Sequence, residues 1–166
     1  MKNFLRIILL AIFGVFLLSS CQEQEKPIDN STQVIGYWQD RHDIDEKMQI
    51  IHYYTFFETG KFNGSIALVD ADSNELLGYS RRSTGTYTLL NDQLSIQTTR
   101  VYAVPESSDS YYVPNEGLVQ LRDNYSLRVK VEFSEEKMTW IYSPFVGDSI
   151  QHIGFQVFER YTPIEF

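Results

Sequence analysis

The stretch "YSLRVKVEF", residues 125–133, limits the possible folds more than any other part of the chain. Tyr125, Leu127, Val129, Val131 and Phe133 alternate with Ser126, Arg128, Lys130 and Glu132. A period of two sends these sets to opposite faces of an extended strand, one towards a core and one towards water. Similar segments recur from Val34 onward: Val34–Gln39, Met48–Phe57, Phe62–Val69, Glu75–Ser80, Thr84–Leu90, Gln93–Val101, Asn124–Phe133, Met138–Ser143 and Ser149–Tyr161. Turn-forming residues separate them, notably Glu58-Thr59-Gly60-Lys61, Asp70–Asn74, Asn91-Asp92 and Ser134–Lys137. Helical periodicity is nearly absent, and only Asp40–Lys47 suits a turn or two of helix. The expectation is an all-β domain of about eight short antiparallel strands, built as a closed meander barrel or a sandwich. Closure removes the unpaired edges that invite aggregation.

The first thirty residues have a different character. Lys2 and Arg6 precede an unbroken apolar run, Ile7 to Leu18, followed by Ser19, Ser20 and Cys21, the chain's single cysteine. A basic start, an apolar core too short to span a bilayer and small residues before a cleavage point are the pattern of a secretory signal. Leu18-Ser19-Ser20-Cys21 resembles the bacterial lipobox, which implies cleavage before Cys21 and lipidation of its thiol. The expected organisation is a signal peptide over 1–20, a lipidated Cys21 with a polar tether over 21–33, and one domain over 34–166. With Cys21 modified no thiol is left for a disulfide, so stability has to come from a packed core.

The chain carries 22 acidic and 14 basic residues, a formal charge of −8. Loss of Lys2 and Arg6 with the signal makes it −10. That balance argues against nucleic acid or an anionic bilayer as a partner. The membrane association expected is through the N-terminal lipid alone.

"VIGYWQD", residues 34–40, resembles the Gly-x-Trp signature of the first strand in lipocalins. The chain is more closely similar to the lipocalin-like domains of small lipoproteins in the Bacteroidota. "YYTFFETGKFNG" resembles their second and third strands, "GTYTLLNDQLSI" their Gly-Thr-Tyr hairpin, and "IGFQVFERY" their last strand. The resemblance implies an up-and-down lipocalin-like barrel closed at one end by Gly36, Trp38 and Arg160, with Arg160 covering the Trp38 indole. It also implies where the protein resides. Glu23 and Glu25 resemble the acidic signals that export such lipoproteins, so the expected location is the outer membrane with surface exposure.

The sequence gives little sign of catalysis. No Gly-x-Ser-x-Gly, phosphate loop, zinc-protease helix or dinucleotide fingerprint occurs. His42, Asp43, Asp45 and Glu46, with His52, form the densest set of potential metal ligands. They lack the glycine and distal glutamate of a calcium loop and read as a solvated connection. His52 reads as a hydrogen-bonded histidine of the barrel wall. No catalytic residue, metal or cofactor is assigned. The expected function is binding, with Tyr54, Phe56, Tyr87, Trp140 and Phe155 facing inward to hold a small apolar or amphipathic ligand at the barrel mouth. The alternative is an envelope interaction module that uses the outer surface and the loop Tyr102–Gly117, through Tyr102, Tyr111 and Tyr112.

Overall fold

The computed structural model describes residues 31–122, 124–142 and 154–163. The signal segment, Cys21 and tether residues 21–30 lie outside them, as do the acids Glu23 and Glu25. Among the described residues, a single turn of helix, α1 (Ser31–Val34), leads into nine strands. These are β1 (Gly36–Asp43), β2 (Met48–Phe56), β3 (Lys61–Asp70), β4 (Leu76–Leu90), β5 (Gln93–Ala103), β6 (Val119–Gln120), β7 (Ser126–Ser134), β8 (Lys137–Ile141) and β9 (Phe155–Arg160). Every pairing is antiparallel, and the order runs β1-β2-β3-β4-β5-β7-β8-β9 and back to β1. The result is a closed eight-stranded up-and-down barrel, with the two-residue β6 hooked onto the end of β5.

Several segments differ from their sequence expectation, among them Ser31–Gln33 of the expected tether, which are helical in α1. Glu75–Ser80 and Thr84–Leu90 belong to one strand, the fifteen-residue β4. Its pairing slips near Ile66 and Leu68 on β3 and again at Thr84/Gly85 against β5. Bulges of this kind let a long strand coil around a small barrel, so "SRRS" bends the strand without ending it. Asp40–Asp43 continues β1, and Ile44–Lys47 alone makes the turn, where Asp45 Oδ1 accepts from the Lys47 and Met48 amides.

The interior is packed at one end by a fully buried cluster including Trp38, Phe56, Phe62, Leu94, Val129, Val131, Met138, Trp140 and Phe158. The inward face of β7 is the one that the alternation of residues 125–133 predicts. On β9 the parity is opposite to the apparent Ile153-Phe155-Val157 pattern. Gln156, Phe158 and Arg160 face in, and Phe155 is 73% exposed. A one-residue change of register exchanges the two faces of a strand, and β9 has apolar residues on both. The floor packing leaves Trp140 Nε1 with no hydrogen-bond partner among the described residues. That costs about 1–3 kcal/mol, offset by burial of the indole.

Below the cluster, α1 folds under the barrel. Trp38 Nε1 donates to the Val34 carbonyl at 2.7 Å, and Val34 is itself fully buried. The Arg160 guanidinium lies 4.3 Å from the Trp38 ring centre and donates to the carbonyls of Ile35 (2.9 Å) and Gln33 (2.6 Å). Gly36, at φ +126°, makes room, since a Cβ there would stand 2.8 Å from Arg160 Nη1. One side chain thus stacks on the indole and holds the segment that seals the barrel end. Arg160→Ala should cost about 2 kcal/mol in urea unfolding of the full chain, from the cation–π contact and two hydrogen bonds. Arg160→Lys should recover less than half, because an ammonium cannot span both carbonyls with a planar fork. A full recovery by lysine would mean that charge alone matters there.

Candidate functional site

At the other end the interior changes character. Alternation from Trp38 turns Asp40 inward on β1 and puts His42 on the same face at the rim, where its side chain is 59% exposed. Alternation from Phe56 turns Tyr54 and His52 inward on β2. Asp40 is a buried carboxylate. Gln156 Nε2, from β9, donates to Asp40 Oδ2 at 2.7 Å, and His42 Nε2 lies 2.7 Å from the same oxygen. The Tyr142 hydroxyl, just beyond β8, donates to Gln156 Oε1 at 2.9 Å. The His42 and His52 rings meet edge to face, 6.4 Å between centres. Polar side chains from β9 and β1, with Tyr142 just beyond β8, are therefore hydrogen-bonded to one another at the barrel mouth, and His42 touches His52 of β2 through its ring edge. Satisfied networks of this kind hold their members in fixed geometry at low local dielectric.

Against this network opens a cavity of about 180 Å³, lined by His52, Tyr54, Ile66, Arg81, Tyr125 and Gln156, with Ser83 and Tyr142. Gly64 keeps one wall clear: a Cβ there would meet Ser83 Oγ at 2.9 Å and the Tyr54 ring at 3.0 Å. The floor is aromatic, with the Tyr54 ring 4.8 Å from Trp140 and 5.5 Å from Phe158. A cavity near 150 Å³ is enough for one benzene-sized ring. The space thus suits a single ring or short chain on the floor and a polar group against the walls, and is too small to enclose a long acyl chain.

Burial shapes the electrostatics. It pushes the phenols of Tyr54 and Tyr142 above their usual range, and the negative charge of Asp40 adds to the effect at Tyr142. Both therefore stay protonated donors. Burial also lowers the pKa of His52, with Asp40 opposing the shift and His42 adding to it. The neutral imidazole keeps one donor and one acceptor nitrogen.

The residues assigned from sequence are divided by the structure. Tyr54 lines the cavity. Phe56, Tyr87 and Trp140 belong to the packed cluster, with Trp140 beneath the Tyr54 ring of the cavity floor, and the Tyr87 hydroxyl donates to the Phe57 carbonyl at 2.9 Å. Phe155 points outward, for the parity reason above. Of the loop tyrosines, Tyr111 is 89% exposed, Tyr112 is half-buried, and Tyr102 lies on β5. Sequence reading left out Asp40, Arg81, Ser83, Tyr125, Tyr142 and Gln156; it placed His42 in a solvated connection, and the side chain is 59% exposed while also reaching Asp40. The available signal was parity: once Trp38 is inward, Asp40 and His42 share its face. No cluster of three or more candidate metal ligands occurs among the described residues. Compared with protein-family models, curated proteins and solved structures, the chain matches none of them.

His52 supplies a test through pH. Its folded-state pKa lies below the unfolded value of about 6.5, so the unfolded chain binds the proton more readily. The stabilisation from keeping His52 neutral is full above that value and is lost as pH falls from there through the folded pKa. Melting temperatures measured from pH 8 to pH 5 should therefore fall more steeply for the wild type than for His52→Gln. Parallel curves would show that His52 is as accessible to protons in the folded chain as in the unfolded one.

Proposed function

We propose that this chain is a lipid-anchored binding protein of the cell envelope, one of the lipocalin-like lipoproteins of the Bacteroidota. Its barrel mouth takes a small amphipathic ligand and performs no chemistry on it. The observation that carries this reading is the cavity itself, an aromatic floor under a ring of polar side chains beside the packed cluster. The apolar part of the ligand sits on Tyr54 and Ile66. Arg81, Tyr125 and Ser83 supply donors for a polar head, a carboxylate being the best match for a guanidinium. Most such sites are concave, part apolar and part polar in this way. The lipobox-like stretch Leu18–Cys21 and the short polar tether support an anchor that leaves the barrel in the aqueous phase, and Glu23 and Glu25 support the outer membrane with surface exposure.

Two measurements test the reading. Metabolic labelling with palmitate should tag the wild type and leave Cys21→Ser unlabelled; a labelled Cys21→Ser would remove the anchor. Calorimetric titration of the purified full chain with benzoate and with a C16 fatty acid should show binding of the single-ring acid alone. Arg81→Gln should weaken benzoate binding by about tenfold, as expected for a lost hydrogen bond to a charged group. Preference for the long acyl chain, or benzoate binding indifferent to Arg81→Gln, would contradict the assignment.

A further inference from the structure

The outer face of β2–β5 holds a second and larger concavity, about 760 Å³, within the range of ligand sites. Its floor is a straight cross-strand row. Tyr53 stands opposite Ser65, Ser65 opposite Arg82, and Arg82 opposite Tyr102. Residues directly opposite share a face, so the four form one line across four strands. At about 4.8 Å per strand, its ends are about 14 Å apart. A parallel row, Thr55, Asn63 and Thr84, runs beside it.

Both walls are built. On one side Tyr79 exchanges two backbone hydrogen bonds with Val113, at 2.8 and 3.0 Å. Gly78 permits this approach, because a Cβ there would stand 2.7 Å from the Val113 carbonyl oxygen and 2.9 Å from the Tyr112 ring. The staple places Asn115 and Leu118 along the rim. On the other side Tyr161 packs 5.3 Å from Tyr53 and 5.8 Å from Tyr37 between ring centres.

The charge of the groove runs against that of the chain. None of its eighteen lining residues is Asp or Glu and one is Arg82, in a chain of 22 acids and 14 bases. The Arg82 guanidinium lies 5.3 Å from the Tyr79 ring centre and donates to Asn115 Oδ1. Among the described residues no carboxylate lies within 4.0 Å of it. An arginine braced by a ring and an amide, in a cleft without acids, keeps donors available for an anion.

We propose that this groove binds an acidic oligosaccharide lying across the strands, its rings on Tyr53 and Tyr102 and a carboxylate on Arg82. Tyrosines offer flat amphipathic faces for the C–H side of a sugar ring. The hydroxyls and amides of Thr55, Asn63, Thr84 and Asn115 offer donors and acceptors to a polyhydroxyl chain. An acidic peptide fits less well. β2 to β4 are paired on both sides, and β5 is paired with β4 on one side and with β7 and β6 on the other, so no open edge is left for strand addition.

An array of acidic and neutral oligosaccharides, with oligoglutamate as the peptide comparison, probed with the full chain tests this. At least one acidic oligosaccharide should bind. Arg82→Gln should weaken it about tenfold while changing neutral sugars little. Tyr102→Ala should weaken both kinds, and Arg82→Lys should restore part of the acidic preference. Melting temperatures at the wild-type value establish that these outward-facing variants are folded. Absence of any acidic saccharide binding, binding indifferent to both Arg82→Gln and Tyr102→Ala, or tighter binding of oligoglutamate would each overturn the proposal.

Discussion

The barrel depends on its narrowest seam. β1 and β9 share two register pairs, against eight between β1 and β2 and nine between β2 and β3. A ladder that short would not hold a closed sheet by backbone bonds alone. Side chains supply the rest. Arg160 crosses the seam at the sealed end to stack on Trp38 and grip the carbonyls of Gln33 and Ile35. Gln156 crosses it towards the mouth to reach Asp40. On the outside Tyr161 packs edge to face on Tyr37, and its amide donates to the Tyr37 carbonyl.

The seam also organises the interior. Once Phe158 and Arg160 face inward, Phe158 joins Trp140 and Tyr54 in the aromatic floor, and Gln156 arrives at the level of Asp40. Large buried rings contribute about 1.5–3 kcal/mol each, which suits a domain whose one cysteine stands far ahead of it. The same closure that fills one end aligns polar groups from β1, β2, β4, β8 and β9 around a small space at the other. The packed floor and the cavity above it are thus two ends of one packing arrangement.

Much of the fold is legible from local signals. The alternation in β7, the turns at Gly60 and at Asn91-Asp92, and the near absence of helical periodicity point to an antiparallel meander. Parity is legible where one face alone is apolar, as on β7, and lost where both are, as on β9. Continuity through "SRRS" in β4 is hidden because a bulge and a turn use the same small and polar residues. The mouth is the least legible part. Asp40 and Gln156 are 116 positions apart, and only barrel closure makes them neighbours. The outer row of Tyr53, Ser65, Arg82 and Tyr102 is equally invisible until the strand register is known.

Amide hydrogen exchange on the intact chain, read at the Tyr161 amide and along β9, tests this account most directly. If side chains pin the seam from both ends, these amides exchange as slowly as those of the β2–β3 ladder, and Arg160→Ala speeds them selectively. Exchange at β9 that is orders of magnitude faster in the wild type, with β2–β3 still protected, would contradict it. The barrel would then open at the seam, and neither its sealed end nor its mouth would be the fixed structure described.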